Sequence, residues 1–138
     1  MKTTDMYEYV IPVAPVTKKN SQQILINHKT GKPFIAQSAK YIDYETAASY
    51  FLRPKPKQPI DYPVNVQCVF YMPTRRKVDT ANLISAVHDI LVKFDVLSDD
   101  NRDIIASTDG SRTYYDKDYP RTEIIITPYK GEYEQWRK

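Results

Sequence analysis

The segment Arg75–Asn101, RRKVDTANLISAVHDILVKFDVLSDDN, gathers the residue types that handle phosphate chemistry. Three cations, Arg75, Arg76 and Lys77, lead to Asp79. Asn82 and Asp89 follow, and Asp99 and Asp100 close the stretch. Carboxylates with water are the usual shell of Mg²⁺, and neighbouring cations hold a nucleic-acid backbone that carboxylates alone would repel. Each group also has an ordinary role. Asp79 stands where a helix N-cap is expected, Asp89 and Lys93 have the i, i+4 spacing of an exposed ion pair, and SDDN reads as a polar turn. Acids collected beside a basic patch are what point to metal-assisted phosphodiester chemistry.

Geometry limits which acids can act together. At about 1.5 Å per residue, Asp79 and Asp89 lie roughly 15 Å apart along a helix, too far to share one ion. Asp100 falls about six residues past the helix end, and six extended residues reach at most roughly 20 Å. A chain that doubles back brings Asp99 or Asp100 within reach of Asp79; nothing in the spacing requires it.

The helix that carries these groups is marked by its apolar period. At about 100° per residue from Thr80, Leu83, Val87, Ile90, Leu91 and Phe94 share one face, with Asn82, Ser85, Ala86, Asp89 and Lys93 opposite. A second helix is expected over SAKYIDYETAASYF. Ser38 caps it, and Tyr41, Ile42, Ala48, Phe51 and Leu52 form its inner face. MYEYVIPV reads as a strand stopped by Pro12 and Pro15. ILIN and PFIA flank HKTGK as a hairpin with Gly31 in the turn. RPKPKQPIDYP is a proline-interrupted basic linker, VNVQCVFYM a central strand, RDIIAST a strand, DGSRTYYDKDYP a loop with some extended character, and RTEIIITP a last strand. The expected architecture is an α/β (α+β) single domain over residues 1–138: a mixed β-sheet with two main helices packed on it. Residues 129–138 form a peripheral tail.

Composition fits that frame. The 138 residues are 41% hydrophobic and 27% charged, with net charge +3 and pI near 8.8, a globular balance that suits one core. Cys68 is the only cysteine, so no intramolecular disulfide forms. It lies in an apolar strand, where a buried inert thiol is expected. No Cys/His cluster has zinc spacing. The N-terminus lacks a signal-peptide apolar region and no apolar run approaches the ~18 residues of a membrane span, so a cytoplasmic protein without membrane association is expected.

The segment KVDTANLISAVHDILVKFDVLSDDN resembles the RusA family of Holliday junction resolvases, Mg²⁺-dependent dimeric endonucleases of phage and prophage origin. The family pattern runs from basic residues through D-x-D-N-L-x-K, along a helix with an inner aspartate, to a paired D-D. Asp79 takes the first aspartate, Asn82 the asparagine, Leu83 the leucine, Asp89 the mid-helix aspartate and Asp100 the last acid. PVTKKNSQQ is similar to the family's early loop and PRTEIIIT to its closing strand. The resemblance implies cleavage of four-way DNA junctions by a homodimer. It casts Asp79 and Asp100 as metal ligands with Asp99 beside Asp100, Asn82 as an orienting residue, and Lys18, Lys19, Asn20, Arg75, Arg76, Lys77 and Lys93 as DNA contacts. Mg²⁺ is the implied ion, with Mn²⁺ as a substitute. Two positions depart from the pattern: the second family aspartate is Ala81 and the lysine is Ser85. Asp99 or Asp109 is a candidate replacement acid, and Lys77 or Lys93 a replacement cation. The alternative reading is a branched-DNA-binding protein on the same fold that cuts weakly or not at all.

Overall fold

The run VNVQCVFYM places an apolar side chain at every second position, and a half-buried strand needs that alternation. In the computed structural model, which describes residues 6–18 and 22–129, this run is the centre of the main sheet. The elements are β1 (Tyr7–Ile11), β2 (Gln22–Ile26), β3 (Pro33–Gln37), α1 (Ala39–Phe51), β4 (Val64–Met72), α2 (Thr80–Lys93), β5 (Ile105–Ser107), β6 (Arg112–Tyr115) and β7 (Arg121–Pro128). The main sheet runs β1-β7-β4-β5, with β6 also paired to β4, while β2 and β3 form a separate two-stranded ribbon. β7 pairs antiparallel with β1 and β4, whereas β5 and β6 pair parallel with β4. The sheet is therefore mixed, and with two helices it makes one α+β domain. Of the tail expected over 129–138, all but Tyr129 lies outside the described residues.

One sheet face holds the core. Val64, Val66, Cys68 and Phe70 of β4 are buried together with Ile124 and Ile126 of β7 and Ile11 of β1. Leu83, Ala86, Val87, Ile90 and Leu91 of α2 complete the cluster with Tyr41, Tyr44 and Ala48 of α1. Burial pushes the Cys68 thiol up to about 12, as an inert core thiol requires.

Two details of the helices differ from the periodicity reading. On α2, Ala86 is buried rather than exposed; its methyl is small enough to fit where the helix edge meets its neighbours. On α1, Ile42 and Phe51 are 49% and 46% exposed, while Tyr44 is buried. Tyr44 goes inside because its hydroxyl finds a partner there, Thr122 Oγ1 at 2.6 Å, and Thr122 is itself fully buried. The DGSRTYYDKDYP stretch also carries a true strand, β6. Parallel pairing with β4 satisfies its backbone, and Arg121 clamps the following loop through Asp116 (3.0 Å) and the Tyr71 ring (3.7 Å). Hydrogen bonds from the Tyr119 amide, and then from Arg121, hold the Asp116 carboxyl below its ordinary range.

The Tyr44–Thr122 pair gives a test of the packing. Tyr44→Phe and Thr122→Val each strand one buried polar atom and are expected to cost about 1–2 kcal/mol. The double variant removes both atoms and is expected to cost clearly less than the sum of the two. Urea unfolding of the four proteins measures the cycle; strict additivity would mean the two hydroxyls do not depend on each other.

Candidate functional site

Parallel strands need a crossover between them. β4 and β5 are parallel and α2 joins them, so the helix must run back along the sheet from the end of β4 to the start of β5. This fixes the candidate residues in space. The basic loop 73–79 and Asp79 stand at the end of β4. The turn with Asp99 and Asp100 stands at the other end, leading into β5. α2, with 14 residues, separates the two by about 20 Å.

At the first end, Asp79 is exposed and caps α2, its carboxylate accepting from the Ala81 amide at 2.9 Å. Asn82 follows half-buried, its amide bonded to the Asp79 carbonyl at 3.1 Å. A Thr80–Thr113 hydroxyl bond of 2.7 Å ties the start of α2 to β6. Arg75, Arg76 and Lys77 are all exposed. The Arg75 guanidinium lies 4.1 Å from the Tyr115 ring centre, a stacking that leaves its edge donors outward. Arg76 and Lys77 line a groove with Lys40, Asp43, Val16 and Val78. Lys40 escaped the sequence reading because nothing local distinguishes it from a solvated helix lysine.

At the second end, Asp100 lines a cleft with Asp89, Glu45, Lys18, Lys93 and Tyr41. The structure thus brings Asp100 to Asp89, and Asp79 does not line this cleft. Lys18 pairs with Asp89 at 3.5 Å and Lys93 with Glu45 at 2.8 Å. The Asp89–Lys93 pair expected from helix spacing gives way to these two, because other elements supply nearer partners. Both Asp99 oxygens accept donors of their own turn, the Asp100 amide at 2.7 Å and the Asn101 amide group at 3.2 Å. That turn is anchored by Ile60, which exchanges backbone bonds of 2.9 Å with Val96 and Ser98. His88 is also close. Its Nε2 is buried without a hydrogen-bond partner among the described residues, as is the Tyr41 hydroxyl. Burial lowers the His88 pKa, opposed by the negative charges of Asp100 and Asp89. From sequence, Tyr41 is expected only as a packing residue on the inner face of α1, and a lone histidine such as His88 carries no signal by itself.

Asp109 is held apart from Asp79. Its backbone is gripped by the Asn65 side chain at 2.8 and 3.1 Å. Asn65 is near the start of β4, roughly 23 Å along the strand from Met72. Lys19 and Asn20 lie outside the described residues. Among the described residues, no group of three His, Cys, Asp or Glu side chains is close enough to hold a metal ion, and no helix is long and apolar enough to cross a membrane.

Comparison with known proteins bears on this arrangement. Residues 12–127 match the family described as Endodeoxyribonuclease RusA. A protein named Crossover junction endodeoxyribonuclease RusA, from Aquifex aeolicus (strain VF5), is 32% identical over 95 residues, which cover 68% of this chain and 71% of that relative.

The Lys18–Asp89 pair is exposed on both sides, so its loss is expected to change stability by less than about 1 kcal/mol. Its loss does free a cation. Asp89→Asn is expected to raise affinity for a four-way DNA junction, measured without divalent metal, by a few-fold, and to steepen the salt dependence. An unchanged affinity would remove Lys18 from the DNA contact.

Proposed function

The chain belongs to the RusA family of endodeoxyribonucleases, hydrolases that cut within DNA, and we propose that its substrate is the four-way, or Holliday, junction. The observation that carries this reading is the pairing of an exposed carboxylate, Asp79, with the cations Arg75, Arg76 and Lys77 on one loop beside a basic groove. The name of the Aquifex relative supports the junction as substrate. The cations grip phosphates on either side of the cut, which sets register without reading sequence. The reading goes with a cytoplasmic location, a role in DNA recombination and repair, and the prophage setting of the resemblance.

We further propose that the enzyme uses a divalent cation, Mg²⁺ with Mn²⁺ as substitute. Asp79 and Asp100 are the proposed ligands, with Asp99 beside them. These are hard oxygen donors of the kind Mg²⁺ takes. Such an ion, when bound, supplies charge stabilisation at the phosphate and a water of lowered pKa. One protomer does not assemble the full set, because α2 holds Asp79 and Asp100 at opposite ends. A site that uses both takes one carboxylate from each of two protomers, so the proposed homodimer is a condition of chemistry and not only of paired incisions. Asn82, one turn after Asp79, is placed to orient Asp79 or a water bound near it.

Complementation tests the reading. With Mg²⁺, Asp79→Asn and Asp100→Asn are each expected to cut a synthetic four-way junction more slowly by orders of magnitude, while binding it without metal as well as wild type or better. Mixed, refolded heterodimers of the two variants hold one intact pair, Asp79 of one protomer and Asp100 of the other. They are expected to nick one strand. No restoration with full heterodimer formation would place both carboxylates in one protomer's site, and wild-type cutting by Asp79→Asn would leave that residue as a cap alone.

Light scattering tests the assembly directly. A dimer resistant to dilution is expected, and a species of only 16.1 kDa at micromolar concentration would overturn both the dimer and the shared site.

A further inference from the structure

The ribbon β2–β3 exposes more apolar surface than the fold accounts for. Ile24 is 76% exposed, Ile26 61%, Phe34 46% and Leu25 43%. In the antiparallel register Leu25 faces Phe34 and Ile26 faces Pro33. Side chains alternate along a strand, so Leu25 and Phe34 share one face while Ile24 and Ile26 share the other. Both faces are apolar. The ribbon pairs with no strand of the main sheet, and a lone two-stranded ribbon is marginally stable in water.

Charge indicates what meets it. From Tyr9 to Ile42 the chain has no aspartate or glutamate, and the same stretch holds Lys18, Lys19, Lys29, Lys32 and Lys40. The tip of the ribbon is built rather than slack. Asn27 Oδ1 accepts from the amides of Lys29 (2.9 Å) and Thr30 (3.3 Å), and the Gly31 amide donates to the Asn27 carbonyl at 2.7 Å. Gly31 takes φ +71°, open to glycine at no steric cost. This turn leaves His28, Lys29 and Lys32 exposed, and neither lysine forms an ion pair among the described residues. A second copy of the ribbon would set like charge against like charge with no acid between them. A polyanion would not.

We propose that the β2–β3 ribbon is a DNA-binding arm that enters the branch point of the junction. The Lys29–Lys32 tip lies on phosphates while Ile24, Leu25, Ile26 and Phe34 pack against bases exposed at the crossover. This rests on the junction as substrate. A two-stranded ribbon has the width that the DNA major groove admits, and apolar side chains inserted between base steps are a known device of DNA-bending proteins. Unstacking is easiest where pairing is already interrupted, which places the arm at the branch point rather than on a duplex arm.

Two variants outside the cleavage machinery test the arm: Lys29→Ala/Lys32→Ala at the tip and Ile24→Ser/Ile26→Ser on one face. Affinity for a four-way junction and for a linear duplex is measured without divalent metal at several salt concentrations. A 2-aminopurine at the branch point reports unstacking, and light scattering reports mass. The tip variant is expected to bind the junction about tenfold more weakly, with a log–log salt slope shallower by about 2, one for each lost contact. The face variant is expected to keep duplex affinity but to lose the preference for junctions and the 2-aminopurine rise. Mass should not change in either. A face variant of reduced mass would assign the ribbon to the contact between copies and overturn the arm. Variants that bind junctions like wild type would overturn the arm while leaving junction cleavage intact. A wild-type protein that does not prefer junctions to duplex would overturn both.

Discussion

The parallel pairing of β4 with β5 is the constraint on which the arrangement depends. It forces a crossover, and the only segment between the strands long enough to make one is α2 with its flanking turns. The helix must then span the sheet from end to end. Its apolar stripe, Leu83, Val87, Ile90 and Leu91, is spent on the β4 core, and its caps are delivered to opposite rims. Asp79 is an N-cap because the chain must turn sharply out of the basic loop, and Asp100 stands in the return turn because β5 must begin beside β4. A single chain therefore holds Asp79 and Asp100 apart.

Much of this was legible in the sequence where local and global preferences agree. The β4 run, the α2 stripe, the Ser38 and Asp79 caps and the hairpin around Gly31 all follow from period and turn chemistry. The parts that were not legible depend on partners distant in sequence. Tyr44 is buried because Thr122, on β7, supplies a hydroxyl. Asp89 turns to Lys18 instead of Lys93 because the early loop lies against α2. β6 is a strand because β4 has a free edge to pair with it, although RTYY alone reads as extended loop. Distance along the chain sets a limit on reach between Asp79 and Asp100, but direction comes from sheet topology, and no spacing rule carries that.

The two rims differ in how their charges are committed. In the cleft at the Asp100 end, Lys18 and Lys93 are already paired with Asp89 and Glu45, so these cations are partly neutralised before any phosphate arrives. At the Asp79 end, Arg76, Lys77 and Lys40 line a groove in which Asp43 is the one acid. Exposed ion pairs are weak and exchange readily. The first rim is thus an adjustable set of charges around a carboxylate, and the second a standing positive surface.

Ala81 and Ser85 acquire a physical meaning in this setting. Both are exposed on α2, and the Ala81 amide holds the Asp79 carboxylate at 2.9 Å. A carboxylate at position 81 would add a second negative group within one turn of Asp79, and a lysine at 85 would offset it one turn later. The two departures from the family pattern remove one charge of each sign from the same helix face. Local charge balance is therefore kept, and Asp79 remains at the helix N-terminus, where a carboxylate is favoured. The topology of one chain keeps Asp99, Asp100 and Asp109 away from that end. The departures leave Asp79 without a second acid on its own turn of α2, and under the proposed shared site a second protomer's Asp100 would supply it.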